Sequence, residues 1–247
     1  MNLKDYLAHP GISSSDIRKF LKCPLKYQYR GHQRTSPAML IGSATHAMVE
    51  GIFEQVFAVQ PVEIDRRTKS GKLEYAQFQL ENAGKEILTQ EQFDVVQGMA
   101  DSALDLLDRR FPLAERESEP SLFWMEEGVQ CKARPDLILG GIEPCVIELK
   151  TTQDASLDKW YWKVKDFDYG IQAIHHLAGI ENQRRQMIPY GWLVVENEPP
   201  YASVIHWLRP GPHHQNDEWR RINALRELKR CIDEQQFPSY LEDELKW

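Results

Sequence analysis

Apolar positions along the chain change period several times, and each change predicts an element. Ile17, Phe20 and Leu21 fall on one face of a short helix that Ser13, Ser14, Ser15 and Asp16 can cap. Cys23-Pro24 ends it and begins another, LKYQYR, before a polar link, GHQRTSP. From Leu40-Ile41-Gly42 to about Phe57 the spacing is helical, with Val49, Ile52, Phe53 and Val56 apolar. The basic segment 61–72, PVEIDRRTKSGK, reads as a mobile loop, and a helix from about 73 to 83 follows, stopping at Gly84. Thr89-Gln90-Glu91-Gln92 fits a capping box, after which Phe93, Val96, Ala100, Ala103, Leu104 and Leu107 keep helical period. Past Pro112 and Pro120, segments 121–126 and 129–134 flank Glu127-Gly128 and read as an antiparallel hairpin leading into the next stretch.

That stretch, CKARPDLILGGIEPCVIELKTT over 131–152, organises the chain. Its two short runs rich in Val, Ile and Leu, DLIL and CVIEL, are bounded by Gly and Pro, the pattern of buried strands joined by a tight turn. The aromatic and basic segment ASLDKWYWKVKDFD follows and reads as a loop. A helix from about 167 to 184 turns Ile171, Ile174, His175 and Ala178 inward, and Gln172 and His176 share a neighbouring face. Strands over 190–196 and 201–208 are separated by Pro199-Pro200, His213-His214 reads as a loop, and an amphipathic helix spans about 216–235. This order predicts one α/β domain over residues 1–247. It has a helical part to about 110, a catalytic sheet and helix over about 117–210, and a C-terminal helix.

Composition narrows the picture. The chain of 247 residues is 42% hydrophobic and 27% charged, ordinary for a globular protein with a substantial core. No apolar run approaches a membrane span and no signal-peptide pattern is present, so a cytoplasmic protein without a membrane partner is expected. Cys23, Cys131, Cys145 and Cys231 are scattered without a CxxC pair, which argues against zinc ribbons, iron–sulfur clusters and a disulfide framework. A formal charge of −7 argues against broad polyanion binding, while leaving room for a DNA enzyme with one basic groove.

Charges inside the central strands carry the chemistry. A charge in a core strand is costly unless paired or bound to metal. Glu148 and Lys150 are two apart and so share one face, flanked by Val146, Ile147 and Leu149. Folding the turn back brings Asp136 towards them. Two carboxylates and a lysine at a sheet edge make an oxygen-lined cation site beside a proton-handling amine. His46 suits a third ligand because the small residues Gly42-Ser43-Ala44 let its helix approach closely; a lone histidine there is otherwise a core residue. Glu50, one turn on, reads as a hydrogen-bonding partner or a surface charge. Arg66, Arg67, Lys69 and Lys72 by themselves read as a solvated run. Trp160-Tyr161-Trp162 by itself reads as core, although the interleaved Lys159, Lys163 and Lys165 also suit nucleic-acid contact.

The combination of GSATHAMVE, RPDLIL, VIELKTT and YGIQAIHHLAG resembles the PD-(D/E)xK nuclease superfamily, and within it the RecE-like (exonuclease VIII-type) recombination exonucleases. The resemblance runs from GISSSDIRKFLKCPLKYQY to the FPSY tail. It implies a three-layer α/β core with a central mixed sheet flanked by helices. It implies that His46, Asp136, Glu148 and the Leu149 carbonyl hold metal, that Lys150 orients or deprotonates water, and that Gln172 supports the nucleophile or scissile phosphate. His176 stands where the family helix usually carries tyrosine. The implied cofactor is Mg²⁺, two ions per site, with Mn²⁺ able to substitute because His46 adds nitrogen. The implied activity is 5′→3′ digestion of linear double-stranded DNA from its ends. It leaves 5′-phosphates and 3′ tails for a single-strand annealing protein in homologous recombination. A homo-oligomeric ring, with a tetramer favoured, is implied too. Arg66, Arg67, Lys69, Lys72, Arg134, Thr151, Lys159 and Lys163 are the expected DNA contacts. The alternatives are a structure-specific or repair endonuclease on the same core, or a non-catalytic DNA-binding relative.

Overall fold

The computed structural model describes residues 1–29, 36–62 and 64–240. A five-stranded mixed sheet lies at its centre in the order β3-β6-β7-β8-β9. These strands are β3 (Arg116–Ser118), β6 (Leu137–Leu139), β7 (Cys145–Thr152), β8 (Tyr190–Glu196) and β9 (Ser203–Trp207). β7 and β8 are parallel and the other pairings antiparallel. The parallel pair requires a crossover, supplied by α8 (Leu157–Asp166) and α9 (Tyr169–Arg184).

Helices cover both faces, which is why β7 reads as a nearly unbroken apolar run. On one face Val146, Trp192 and Val194 pack against Ile171 and Ile180 of α9 and Leu225 and Leu228 of α10 (Pro212–Glu234). Ile17 and Phe20 of α2 (Ser14–Lys22) join this layer. On the other face Ile147, Leu149, Leu193 and Val195 pack against Met99, Ala103 and Leu107 of α7 (Gln90–Arg110). The strand alternation therefore assigns Glu148 and Lys150 to the Val146 face, towards α9.

The remaining elements frame this core. α1 (Leu3–Ala8) and α3 (Pro24–Gln28) flank α2. α4 (Pro37–Val49) and α5 (Phe53–Val56) precede β1 (Phe57–Val59), which pairs in parallel with β2 (Glu86–Leu88). α6 (Lys69–Glu81) lies between those two strands in the chain. β4 (Leu122–Glu126) and β5 (Val129–Ala133) form the expected hairpin. Glu127 and Gly128 both have positive φ, 47° and 74°, as a tight two-residue hairpin turn requires. The hairpin is a separate two-stranded sheet rather than part of the central one.

Several expectations are corrected. Helical spacing to Phe57 suggested one helix, but Gly51 at φ 74° ends α4. The Gly51 N–H donates to the Met48 carbonyl and the Ile52 N–H to the Ala47 carbonyl, the Schellman pattern that terminates a helix. Lys69 and Lys72 belong to α6, whose N-terminus is capped by Thr68 accepting from the Gly71 N–H at 2.9 Å, so the basic run is not loop throughout. The aromatic and basic segment after Thr152 is the helix α8, with Trp160 turned inward. His213 and His214 sit in the first turn of α10 behind Pro212, a residue suited to that position. The link at 30–35 lies outside the described residues. Among the described residues, no helix is long and apolar enough to cross a membrane.

Candidate active site

The site grows from the register of β6 on β7. Leu137 pairs with Ile147, so Asp136, just before β6, falls opposite Glu148. The Asp136 Oδ2 accepts from the Leu149 N–H at 2.8 Å, and the Asp136 N–H points at Glu148 Oε2 at 3.5 Å. Pro135-Asp136 on one strand and Glu148-Leu149-Lys150 on the next thus converge at one point of the sheet.

Glu148 is buried, 2% exposed, and is held by side chains from three elements. Lys150 Nζ donates to Oε1 at 2.9 Å, and Gln172 Nε2 of α9 donates to the same oxygen at 2.7 Å. His176, one turn after Gln172, places Nδ1 3.4 Å from Oε2, and the Tyr190 hydroxyl lies 3.4 Å from that nitrogen. Burial alone would raise the Glu148 carboxyl, but Lys150 and His176 more than offset it and hold it well below the ordinary range. Burial pulls Lys150 down, yet the Glu148 and Asp136 carboxylates leave it raised overall, so it is an ammonium donor at neutral pH. Its Nζ also lies 5.3 Å from the Tyr169 ring centre, within cation–π range. Burial raises Tyr190 well above the usual phenol range, with the two carboxylates adding to it, so its hydroxyl keeps its proton.

α4 brings His46 from the other side, with Nδ1 3.5 Å from Asp136 Oδ2. A Cβ at Gly42 would stand 3.5 Å from Thr151 Oγ1, so the small residues opening α4 do lie against the end of β7. Burial lowers the imidazole, but the adjacent Asp136 carboxylate outweighs it and raises it overall. Glu50, one turn on, is no ordinary surface charge: burial first, then Glu119 and Asp136, push its carboxyl up to about 7.

Among the described residues, no group of three or more His, Cys, Asp or Glu side chains is placed so as to hold a metal ion. The donors of the Asp136, Glu148 and His46 cluster are nevertheless of the kind a hard divalent cation takes. Gln172 Oε1 is buried beside them without a hydrogen-bond partner, an acceptor left for an incoming group. The donor set fits a cation, provided Glu148 exchanges one of its present donors for it.

The expected DNA contacts divide. Thr151 and Lys163 line a cleft of about 680 Å³ beside the end of β7, together with Ile41, Gln92, Thr152 and Asn197. Lys163 donates to Thr152 Oγ1, and Lys159 is exposed on the same helix. Arg134 is an internal brace instead: it donates to Glu119 at 2.8 and 3.0 Å, to Ser121 at 2.6 Å and to the Met1 carbonyl at 3.1 Å. With those donors committed, it is not an open phosphate contact. Arg67 pairs with Asp65 at 2.9 Å, and the Arg66 guanidinium lies 4.1 Å over the Tyr75 ring. Both are exposed, as are Lys69 and Lys72.

The fold is shared with a solved structure, and the sequence matches a family. The crystal structure of a protein described as a "putative exonuclease" from Eubacterium rectale shares the fold over 100% of this chain and 96% of that one, with a TM-score of 0.67 at 12% identity. A phage-related exonuclease from Haemophilus somnus aligns over 94% of this chain and 100% of its own, with a TM-score of 0.41 at 12% identity. No curated protein matches the sequence. The family described as a PDDEXK-like domain of unknown function (DUF3799) matches residues 13–243, and the chain belongs to that family.

Proposed function

We propose that this chain is a divalent-metal-dependent nuclease that digests linear double-stranded DNA from its ends. The observation that carries the reading is the buried, ionised Glu148, bound by Lys150 and Gln172 and faced by Asp136. A structural ion pair has no need of a second carboxylate, a histidine and an unpartnered amide oxygen around it. In this reading Asp136, Glu148, His46 and the Leu149 carbonyl hold Mg²⁺, or Mn²⁺ in its place, with two ions per site. A cation bound there supplies a Lewis acid that neutralises phosphate charge and makes water nucleophilic at neutral pH.

The side chains do the rest. Lys150, held as an ammonium, orients the attacking water by donating to it and stabilises negative charge on the phosphoryl oxygens. Gln172 fixes Glu148 through its amide N–H₂ and leaves Oε1 facing the nucleophile. His176, which stands where the family helix usually carries tyrosine, faces the second oxygen of Glu148, and the Tyr190 hydroxyl lies against its ring nitrogen. The cleft beyond Thr151, with Lys163 and exposed Lys159, supports passage of the substrate strand.

The resemblance to RecE-like exonucleases carries the finer points: 5′→3′ polarity, 5′-phosphate products, 3′ tails for an annealing protein in recombination, and a homo-oligomeric ring, favoured as a tetramer. The test is incubation with end-labelled linear and covalently closed circular duplexes, with Mg²⁺ or with EDTA. Loss of label from linear DNA alone, in Mg²⁺ alone, is expected. Cleavage of the circle identifies an endonuclease, and inertness with every divalent cation refutes nuclease activity.

A further inference from the structure

The corner between α8 and α9 sets an exposed aromatic ring beside the candidate active site. Phe167 caps α8 and Tyr169 opens α9, and their rings stack with centres 5.5 Å apart and planes 17° apart. Tyr169 in turn lies 5.3 Å from Lys150 Nζ and 5.6 Å from the Trp160 ring. The stack therefore runs outward from buried Trp160, past the Lys150 amine, and ends on Phe167. Phe167 is 51% exposed although Tyr169 takes one of its faces, which leaves the other face to solvent. Among the described residues, Tyr169 is its one ring partner.

The ring is held in place from several sides. Asp168, between the two aromatics, adopts φ 51°, a left-handed conformation uncommon outside glycine. Its carboxylate is pinned by Arg220 at 2.9 Å, and the Phe167 carbonyl accepts from Arg18 Nη1 of α2 at 2.9 Å. α9 also starts tight against α10, since a Cβ at Gly170 would collide with Asp217 Oδ2. Side chains from α2 and α10 thus brace a corner whose ring keeps its outer face unburied. An exposed apolar side chain alone is ordinary. One carried by a strained, braced turn, a single ring away from the Lys150 amine, is a pre-organised contact.

A flat apolar face next to an ammonium suits a nucleobase joined to a phosphate, because the base stacks on the ring while the phosphate meets the cation. We propose that Phe167 is a positioning residue whose free face stacks an unpaired base at a DNA end, next to the phosphodiester presented to Lys150. The stack needs no rearrangement of the protein, and it holds the frayed nucleotide away from its complement while the bond is cut. Every base has a π face, so this contact brings no sequence preference. The inference deepens the nuclease reading above and rests on it for the identity of the substrate.

The test uses the full chain carrying Asp136→Asn, in EDTA, so that binding is read without digestion. Fluorescence anisotropy is measured on a labelled DNA hairpin with one open end, whose last 5′ nucleotide is unpaired and either carries thymine or is abasic. The thymine hairpin should bind about fivefold tighter or more, the low end for one base–aromatic stack. Phe167→Ala should erase that difference, as should Phe167→Leu, which keeps apolar bulk without a π face. Phe167→Trp should preserve it, with circular dichroism unchanged throughout. Phe167→Leu decides if Phe167→Ala fails to fold. With 5-iodouracil as the unpaired base, irradiation should crosslink the strand to Phe167, as located by mass spectrometry. No preference for the base, a preference that survives both substitutions, or a crosslink elsewhere would each overturn the stacking site. If the unmodified chain cleaves no DNA yet the preference depends on Phe167, the nuclease reading falls and the stacking site survives. Cleavage without the preference removes the stacking site alone.

Discussion

Glu148 is buried and charged, and every group around it bears on that fact. Lys150 is its counter-ion, so removing the amine leaves an uncompensated carboxylate and takes a donor from the reacting water. Lys150→Met should lower the single-turnover cleavage rate about 100-fold or more, in the range for loss of a positioned proton-handling group, with duplex affinity within about threefold. Equal losses in rate and affinity would make Lys150 a phosphate contact only. A different chemistry holds at His175, whose Nε2 lies 3.2 Å from the Ile12 carbonyl and 3.1 Å from that of Lys132. Burial, with Arg221 and His176 nearby, lowers this imidazole to about 3, so it is neutral in the folded protein. Unfolded, it takes a proton near pH 6.5. Between about pH 6.5 and 3 the unfolded chain therefore binds the extra proton, and the stability present above 6.5 is lost as pH falls. Urea titrations should show a loss on the order of 2 kcal/mol between pH 6.5 and 5. His175→Gln should show a flatter slope, and an identical slope would deny this histidine the role.

Among the elements, β7 was legible because it is covered on both faces, which makes it apolar throughout and leaves Glu148 and Lys150 conspicuous. Gln172 and His176, four apart on α9, share a face in the sequence, but only the family resemblance pointed to a site role for Gln172. What escaped the sequence were pieces too short for periodicity, such as the three-residue strands β1, β2 and β3. α8 escaped because its lysines and aromatics alternate, with Tyr161 39% and Trp162 59% exposed while Trp160 is buried. Arg134 looked like a phosphate contact because its partner Glu119 approaches only through the fold. The end of α4 turns on Gly51, where a β-branched side chain would be forced into the left-handed region. Gly51→Val should cost about 1–2 kcal/mol. It should also weaken divalent-dependent cleavage, since His46 and Glu50 ride on that last turn. A melting temperature equal to the parent's would show that α4 ends independently of Gly51.

At the scale of the whole molecule, the proposed end-directed digestion would require a chain of net charge −7 to stay on a polyanion through many cycles. A ring of several subunits would retain the duplex topologically and gather the exposed Arg66, Arg67, Lys69 and Lys72 of each around one channel. Light scattering should give an oligomer, and charge reversal at these four positions should shorten the tract digested per binding event. A monomer with undiminished processivity would contradict the ring. All of this depends on one claim, that Asp136 and Glu148 form the hydrolytic centre. Asp136→Asn and Glu148→Gln keep the shape of each side chain while removing its charge, so cleavage of end-labelled linear duplex in Mg²⁺ by these variants is the direct measurement. No product above background is expected from either variant, with melting and duplex binding close to the parent's. Near-parental turnover by either one would contradict it.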